Sequence, residues 1–497
     1  MTAEITRRQF GVAVAALAAG LAGCGSRDKT TGQSGPSSAP PQPPGGVGAP
    51  VTAQSLGYTV NVNKPGGAPG YIFLVSGTTA ANPGADAGKS ILVIVDKAGK
   101  VVWQRELPPG QTGGNLRVQS YQGRPVLTWW QGLKVGSHGI GVSYIADSRY
   151  NVIATLTPGR DLSSDIHEFR LTPDGHALIT CYEEVATDLT VIGGPKDGRI
   201  YNCHATVVDV ASKTKLFAWD ALSHVPIAET GATYTAGQVL DPYHMNSIAL
   251  DPSGNLLISM RAVSTVFNVD PRTGAVNWQL GGKHSTFELG DGVEFGFQHD
   301  AEMPDPNILT LFDNHFEGSR AQPGGGLVPS SLKWIHLDFA ARRATLIRAQ
   351  PHPGKLSAGA MGNLQQLPND DTFSSWGIAD HIAEFGPDGD MLYDATLTGG
   401  TYRAFLDGWS GDPVLPPQLV LDGDTARAIW NGATAVRQWR LMQGALGGSM
   451  TPLATVDWAG YDTPIPLGGR ADGYFQLQAL DAKGDVINQS PPLPRPR

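Results

Sequence analysis

At 497 residues the chain is long enough for two or three domains, or for one large repeat fold with a module attached. Its 63 glycines, 37 prolines and 16% charged residues argue against a helical protein and for many short strands joined by tight turns. A net charge of −9 without long charge runs leaves no basic footprint, so no nucleic-acid partner is expected.

The first element is a targeting segment. TRRQF (6–10) is a twin-arginine export pattern, GVAVAALAAG behind it is too short to span a bilayer, and LAGC (21–24) follows at once. The segment resembles a lipoprotein signal, which implies cleavage before Cys24, lipidation of its thiol, and an extracytoplasmic protein touching the membrane only through that anchor; a soluble secreted chain cut nearby is the alternative. Residues 1–24 are thus the signal. Residues 25–55, rich in Ser, Pro and Gly, read as a disordered tether.

Beyond the tether the chain repeats itself. NLRVQSYQGRPVL (115–127), HEFRLTPDGHALI (167–179), NSIALDPSGNLLI (246–258), HDAEMPDPNILT (299–310) and NLQQLPNDDTF (363–373) each read as strand, polar turn and strand. Between them recur strand pairs such as VVDVASKTKLFAWD (207–220) and FNVDPRTGAVNWQ (267–279). Four strands in roughly 50 residues, repeated, predict a six-bladed β-propeller over 56–411. One of its blades, from YIFLVSG and VIVDKAGKVVW, has no assignable innermost strand. Insertions fall near 183–200, 221–240 and 315–330.

A Pro-rich linker (412–418) precedes an immunoglobulin- or fibronectin type III-like β-sandwich at 419–497, with Trp430, Trp439 and Tyr474 as its expected core anchors. Within the repeats, Cys181 and Cys203 are a possible disulfide or two separate thiols.

In a propeller, equivalent strand starts meet around one mouth of the central channel. The repeat register therefore predicts a ring of Asn115, His167, Asn246, His299 and Asn363. If DPSG is a four-residue loop, Leu250 pairs with Asn255, and counting outward sets His244 across from Arg261. Alternation then turns His244 and Asn246 to one side, and turns Glu168 and Asp300 away from the neighbouring histidines. His204, His284 and His315 fall elsewhere and read as surface or satisfied polar residues.

Three histidines can hold zinc with an open position. Arg261 opposite His244 argues against it, because a fixed positive charge would sit where a dication belongs; no metal and no cofactor are expected. A cationic, donor-rich cluster instead suits a sulfuryl or phosphoryl group, with one imidazole able to attack the central atom. A non-catalytic propeller binding an anionic ligand fits the same residues, since fold alone does not assign function.

HEFRLTPDGHALI, YHMNSIALDPSGNLLISMR, VDPRTGAVNWQLGG and FQHDAEM, in this order, resemble the bacterial arylsulfate sulfotransferase family, in its exported, actinobacterial-type branch. The resemblance covers about 70–400. It implies a propeller that moves a sulfuryl group from an aryl sulfate donor to a phenolic acceptor, without the nucleotide sulfate donor, by a ping-pong route through a sulfohistidine. By order and context, the nucleophile's place falls on His299, and His167, His244, Asn246 and Arg261 match the sulfate-binding and charge-stabilising positions. Asn115 and Asn363 are further candidate substrate contacts.

Overall fold

Apolar runs bounded by Gly, Pro and Asp turns fold as strands that pair antiparallel, save for Glu288–Leu289, which runs parallel to Arg343–Pro351. The computed structural model describes residues 52–77, 90–159, 161–315, 328–468 and 473–494. The twin-arginine segment, Cys24 and nearly all of the tether lie outside the described residues, as does most of 315–330. Among the described residues there is no α-helix, only short 3₁₀ turns. None of these helices is long and apolar enough to cross a membrane.

Six sheets follow one another between residues 58 and 407. The second begins with Thr112–Tyr121, the third with Phe169–Leu171, the fourth with Met245–Leu250, the fifth with His299–Asp305 and the sixth with Gln365–Gln366. Each continues outward through successive antiparallel hairpins. The strand missing from the sequence reading of the first sheet is Phe405–Asp407, which pairs with Tyr71–Ser76 after the sixth sheet is complete. Conversely, Tyr58–Asn63 adds itself to the edge of the sixth sheet by pairing with Met391–Leu397.

Polar stitches join neighbours in chain order. Asn115 Nδ2 donates to Ile166 O (2.7 Å), Tyr182 OH to Met245 O (2.8 Å) and Asn246 Nδ2 to Gln298 O (2.7 Å). Leu364 N donates to Asp300 Oδ2 (2.9 Å) and Asn363 Nδ2 to Ala404 O (2.9 Å). Gly113 N to Ser90 Oγ (3.3 Å) joins the second sheet to the first, and the series returns to its start.

Packing explains why the first sheet reads as continuous apolar sequence. Ile72, Leu74, Val93 and Val95 enter one core with Phe373, Ile382 and Tyr393 of the sixth sheet. Their neighbours Phe73, Val75, Leu92 and Ile94 enter another with Leu116, Leu127 and Trp129 of the second. Period-two alternation thus feeds two cores, and both faces are buried.

Two further sheets lie in 418–494, sharing a core of Trp430, Trp439, Leu441, Ile465, Phe475 and Leu477. Tyr474 is half-buried, and its neighbour Phe475 takes the expected core place, one residue along the alternation. This region covers the outer edge of the first sheet: Gly432 N donates to Val102 O (2.9 Å) and Tyr461 N to Val101 O (2.8 Å). An otherwise open strand edge is thereby protected.

The possible disulfide does not form. Cys181 and Cys203 are both free and buried. Cys181 lies opposite His204, and Cys203 opposite Tyr182, so the two thiols project from opposite faces of one strand pair.

Candidate functional site

The hairpin carrying His244 and Arg261 reaches the expected pairing by an unexpected route. Its turn has five residues, since Leu250 pairs with Leu256 rather than Asn255. A bulge at Asn246 then shifts the register by one, Met245 pairs with Met260, and Arg261 N donates to His244 O (2.9 Å). His244 takes a left-handed conformation (φ +53°), so simple alternation does not aim its ring. Asp241 does: its Oδ1 accepts from His244 N (3.0 Å) and its Oδ2 meets His244 Nδ1 (2.6 Å).

His167 is held the same way. Asp165 Oδ2 accepts from His167 N (2.9 Å) and meets Nδ1 (2.6 Å). The two rings lie edge to face, with centroids 4.8 Å apart. Burial pushes the Asp241 carboxyl up, but His244 and the Ser137 hydroxyl outweigh it and hold that group at about 2. Asp165 is likewise lowered against its burial, by His167 and by the Gly139 N–H. As ionised acceptors, both carboxylates require a proton on the facing Nδ1.

His299 sits across the cluster in a different setting. It is buried, its Nδ1 faces Asn314 Oδ1 (2.7 Å) and Phe297 O (3.1 Å), and its ring is 6.3 Å from that of Tyr402. Tyr402 also stands 5.6 Å from His167, between the two. Burial above all, then the charge of Arg261, drives the His299 pKa well below the ordinary imidazole value; His244 and His167 add to this. The ring is neutral at physiological pH.

Arg261 stacks its guanidinium over Phe297 (4.3 Å), and its Nη2 donates to Gly359 O (3.3 Å). The structure therefore gathers His167, His244, His299 and Arg261. It does not offer the asparagine amides as expected. Asn115, Asn246 and Asn363 each direct Nδ2 to a backbone carbonyl of the next sheet, and the Asn363 oxygen is also taken, by Ser375 N and Ala404 N. As substrate contacts, Asn115 and Asn363 are corrected to inter-sheet stitches; in Asn115 and Asn246 only Oδ1 lacks a protein partner.

Below the histidines, Glu168 accepts from Arg117 Nη2 (2.8 Å) and Arg403 Nη1 (2.9 Å), with Asp300 3.5 Å from Arg403. Arg403 Nη2 also donates to Asn246 O (2.9 Å), tying the third, fourth and fifth sheets to the approach to Phe405–Asp407. Glu168 and Asp300 do turn away from the histidines, into this buried ionic layer.

Sequence reasoning missed Asp165, Asp241, Asn314, Tyr402 and His138, a buried imidazole stacked on Tyr182 with centroids 4.9 Å apart. The carboxylates had a local signal, an Asp two or three residues before each histidine. The others had none. A ligand-spaced triad also exists elsewhere, His352, His381 and Asp394. Gly354 N donates to His352 Nδ1, so a neutral His352 keeps its proton on Nε2, facing Asp394 Oδ1 (3.2 Å); the group reads as a hydrogen-bonded His–Asp–His set.

Fold and site together define an all-β protein whose polar centre combines imidazoles and a guanidinium. The chain belongs to the arylsulfotransferase (ASST) family, whose model matches residues 117–397, and the family points to a sulfotransferase enzyme acting on small aryl molecules. No curated protein matches the chain. Similar solved structures include a protein of unknown function from Bacteroides caccae, 12% identical, covering 66% of this chain and 93% of that one at a TM-score of 0.38. Virginiamycin B lyase from Staphylococcus aureus is 10% identical, covering 75% and 95% at 0.31. Likeness at this level says nothing about activity.

Proposed function

We propose that residues 56–411 are a six-bladed β-propeller, linked through 412–418 to an immunoglobulin- or fibronectin type III-like sandwich (419–497), and that its histidine cluster transfers a sulfuryl group from an aryl sulfate to a phenol. The observation that carries this reading is His299, a buried imidazole kept neutral beside the Arg261 guanidinium and facing two carboxylate-backed imidazoles. A neutral imidazole is a competent nucleophile, and the surrounding donors suit an oxyanion whose charge shifts during transfer.

In the first half-reaction the His299 lone pair attacks sulfur, the aryl oxygen leaves with its electron pair, and a sulfohistidine remains. In the second, the oxygen of an acceptor in its phenolate form attacks the sulfur, the sulfur–nitrogen bond breaks, and its electron pair returns to the imidazole. Arg261 donates to the sulfuryl oxygens, and His167 and His244, whose Nδ1 protons face Asp165 and Asp241, donate from Nε2 in the imidazolium form that a bound anion favours; no nucleotide donor or metal is used. The twin-arginine segment and Cys24 support an exported, lipid-anchored enzyme.

Incubation with a chromogenic aryl sulfate and no acceptor tests this. One sulfuryl group is expected on His299 by peptide mass mapping, and His299→Ala is expected to abolish both that adduct and turnover, while exposed His284→Ala leaves them intact. A wild-type protein that gains no such mass is a binder rather than this enzyme.

A further inference from the structure

Both ring nitrogens of His299 touch protein, and one side chain governs both contacts. Asn314 Nδ2 donates to Ala358 O (2.7 Å) and Met361 O (2.9 Å), which fixes its amide so that Oδ1 faces His299. With this oxygen and Phe297 O as its neighbours, Nδ1 carries the proton of the neutral ring and Nε2 keeps the lone pair. That lone pair meets the N–H of Met361 at 3.3 Å.

The Met361 segment is held with some force. Met361 is left-handed (φ +66°), and Gly362 follows at φ +109° with its N–H on Tyr402 O (3.1 Å). A Cβ at 362 would stand 2.9 Å from the Phe312 ring, so glycine is required there. Ala358 N is anchored to Ser330 Oγ (2.8 Å). Strain kept in place by this many bonds belongs to sites where backbone geometry matters.

We propose that Asn314 is a positioning residue that sets both nitrogens of His299 at once: its oxygen leaves Nε2 as the attacking atom, and its amide group registers the Met361 N–H beside that atom. This rests on the sulfuryl-transfer reading. As Nε2 bonds to sulfur, the sulfur–aryl oxygen bond breaks and its electron pair departs on a phenolate. Nδ1 keeps its proton against Asn314, so the adduct is an N-sulfo imidazolium. The Met361 N–H, released from the lone pair, then donates to a sulfuryl oxygen. The titratable groups facing the ring are Arg261 and His244 from the fourth sheet, His167 from the third and Tyr402; Asp313, beside Asn314, is occupied by Lys333 and His315.

Nitrogen NMR of histidine-labelled protein tests the placement without turnover: His299 is expected as the Nδ1–H tautomer, and the Nε2–H tautomer overturns the proposal. In single-turnover sulfation, Asn314→Ala is expected to be about 10²-fold slower, with donor KM within about twofold. Asn314→Asp keeps the acceptor oxygen, loses both donors and sets a negative charge against Nδ1. Its rate falls too, and the limb at which sulfation fails on acidification moves to higher pH, because the carboxylate favours imidazolium. Wild-type rates in both variants, or an unmoved limb in Asn314→Asp, overturn it. If the wild type gains no sulfuryl group, the transfer reading fails, and the tautomer spectrum still decides the assignment.

Discussion

His167 and Glu168 are neighbours in the chain, as are His299 and Asp300, yet each pair sends its side chains into two chemically opposite layers. In the ionic layer the buried Glu168 carboxylate is paired with two guanidinium groups, those of Arg117 and Arg403. In the histidine layer carboxylates orient two of the imidazoles, while Arg261 makes no ion pair among the described residues and is held only by Gly359 O and the Phe297 ring. Buried ion pairs add little over apolar packing but are costly to break, so they specify arrangement. Oriented, incompletely satisfied donors are what a reacting oxyanion needs. The difference teaches that one layer fixes how the sheets meet and the other is kept available for a ligand.

The sharpest way to break this division is His299→Ala, expected to remove all turnover with a smaller loss of stability than a change in the ionic layer. Glu168→Gln should do the reverse: it strands two guanidinium groups, and denaturant unfolding should show a loss of about 3–5 kcal/mol, with folded protein still sulfating His299.

Acidification comes next. Burial raises both carboxyls, but Arg403 and Arg117 hold Glu168 at about 2, and His244 holds Asp241 at about 2. The folded chain thus keeps both ionised where the unfolded chain binds protons. Their contribution is complete above about pH 5 and disappears as pH falls toward 2, which should show as a falling denaturation midpoint over that range. Glu168→Gln should flatten the slope.

The smallest effect is expected for Asp241→Asn, which keeps a bond to His244 but removes its charge. A drop of about tenfold in kcat/KM, with a loss of stability at neutral pH smaller than that of Glu168→Gln, would place Asp241 in the histidine layer. A matching loss of stability would blur the two layers.

Much of this was legible in sequence, because repeat register is a one-dimensional signal: it brought residues 167, 244, 261 and 299 to one place. The hairpin turn was read one residue short, and the bulge at Asn246 compensated; neither follows from apolar alternation, which is blind to an extra residue. Asparagine has two faces, donor and acceptor, and sequence does not say whether they meet a ligand or a neighbouring backbone. Asn314 follows a strand of the fifth sheet and acts through Ala358 and Met361, so its role exists only in three dimensions. Phe405–Asp407 is three residues long and pairs with a strand more than three hundred residues earlier. Nothing local marks it.

That late strand has a consequence for biosynthesis. Until residue 407 has left the ribosome, the segment 71–76 presents a bare apolar edge, so the first sheet is completed only after the sixth has been synthesised. A polypeptide truncated anywhere before this clasp would carry a sticky, unpaired ribbon, whereas loss of the region after 411 would leave the clasp itself in place and uncover the outer margin formed by 101–106 together with the neighbouring Ser148 and Tyr150.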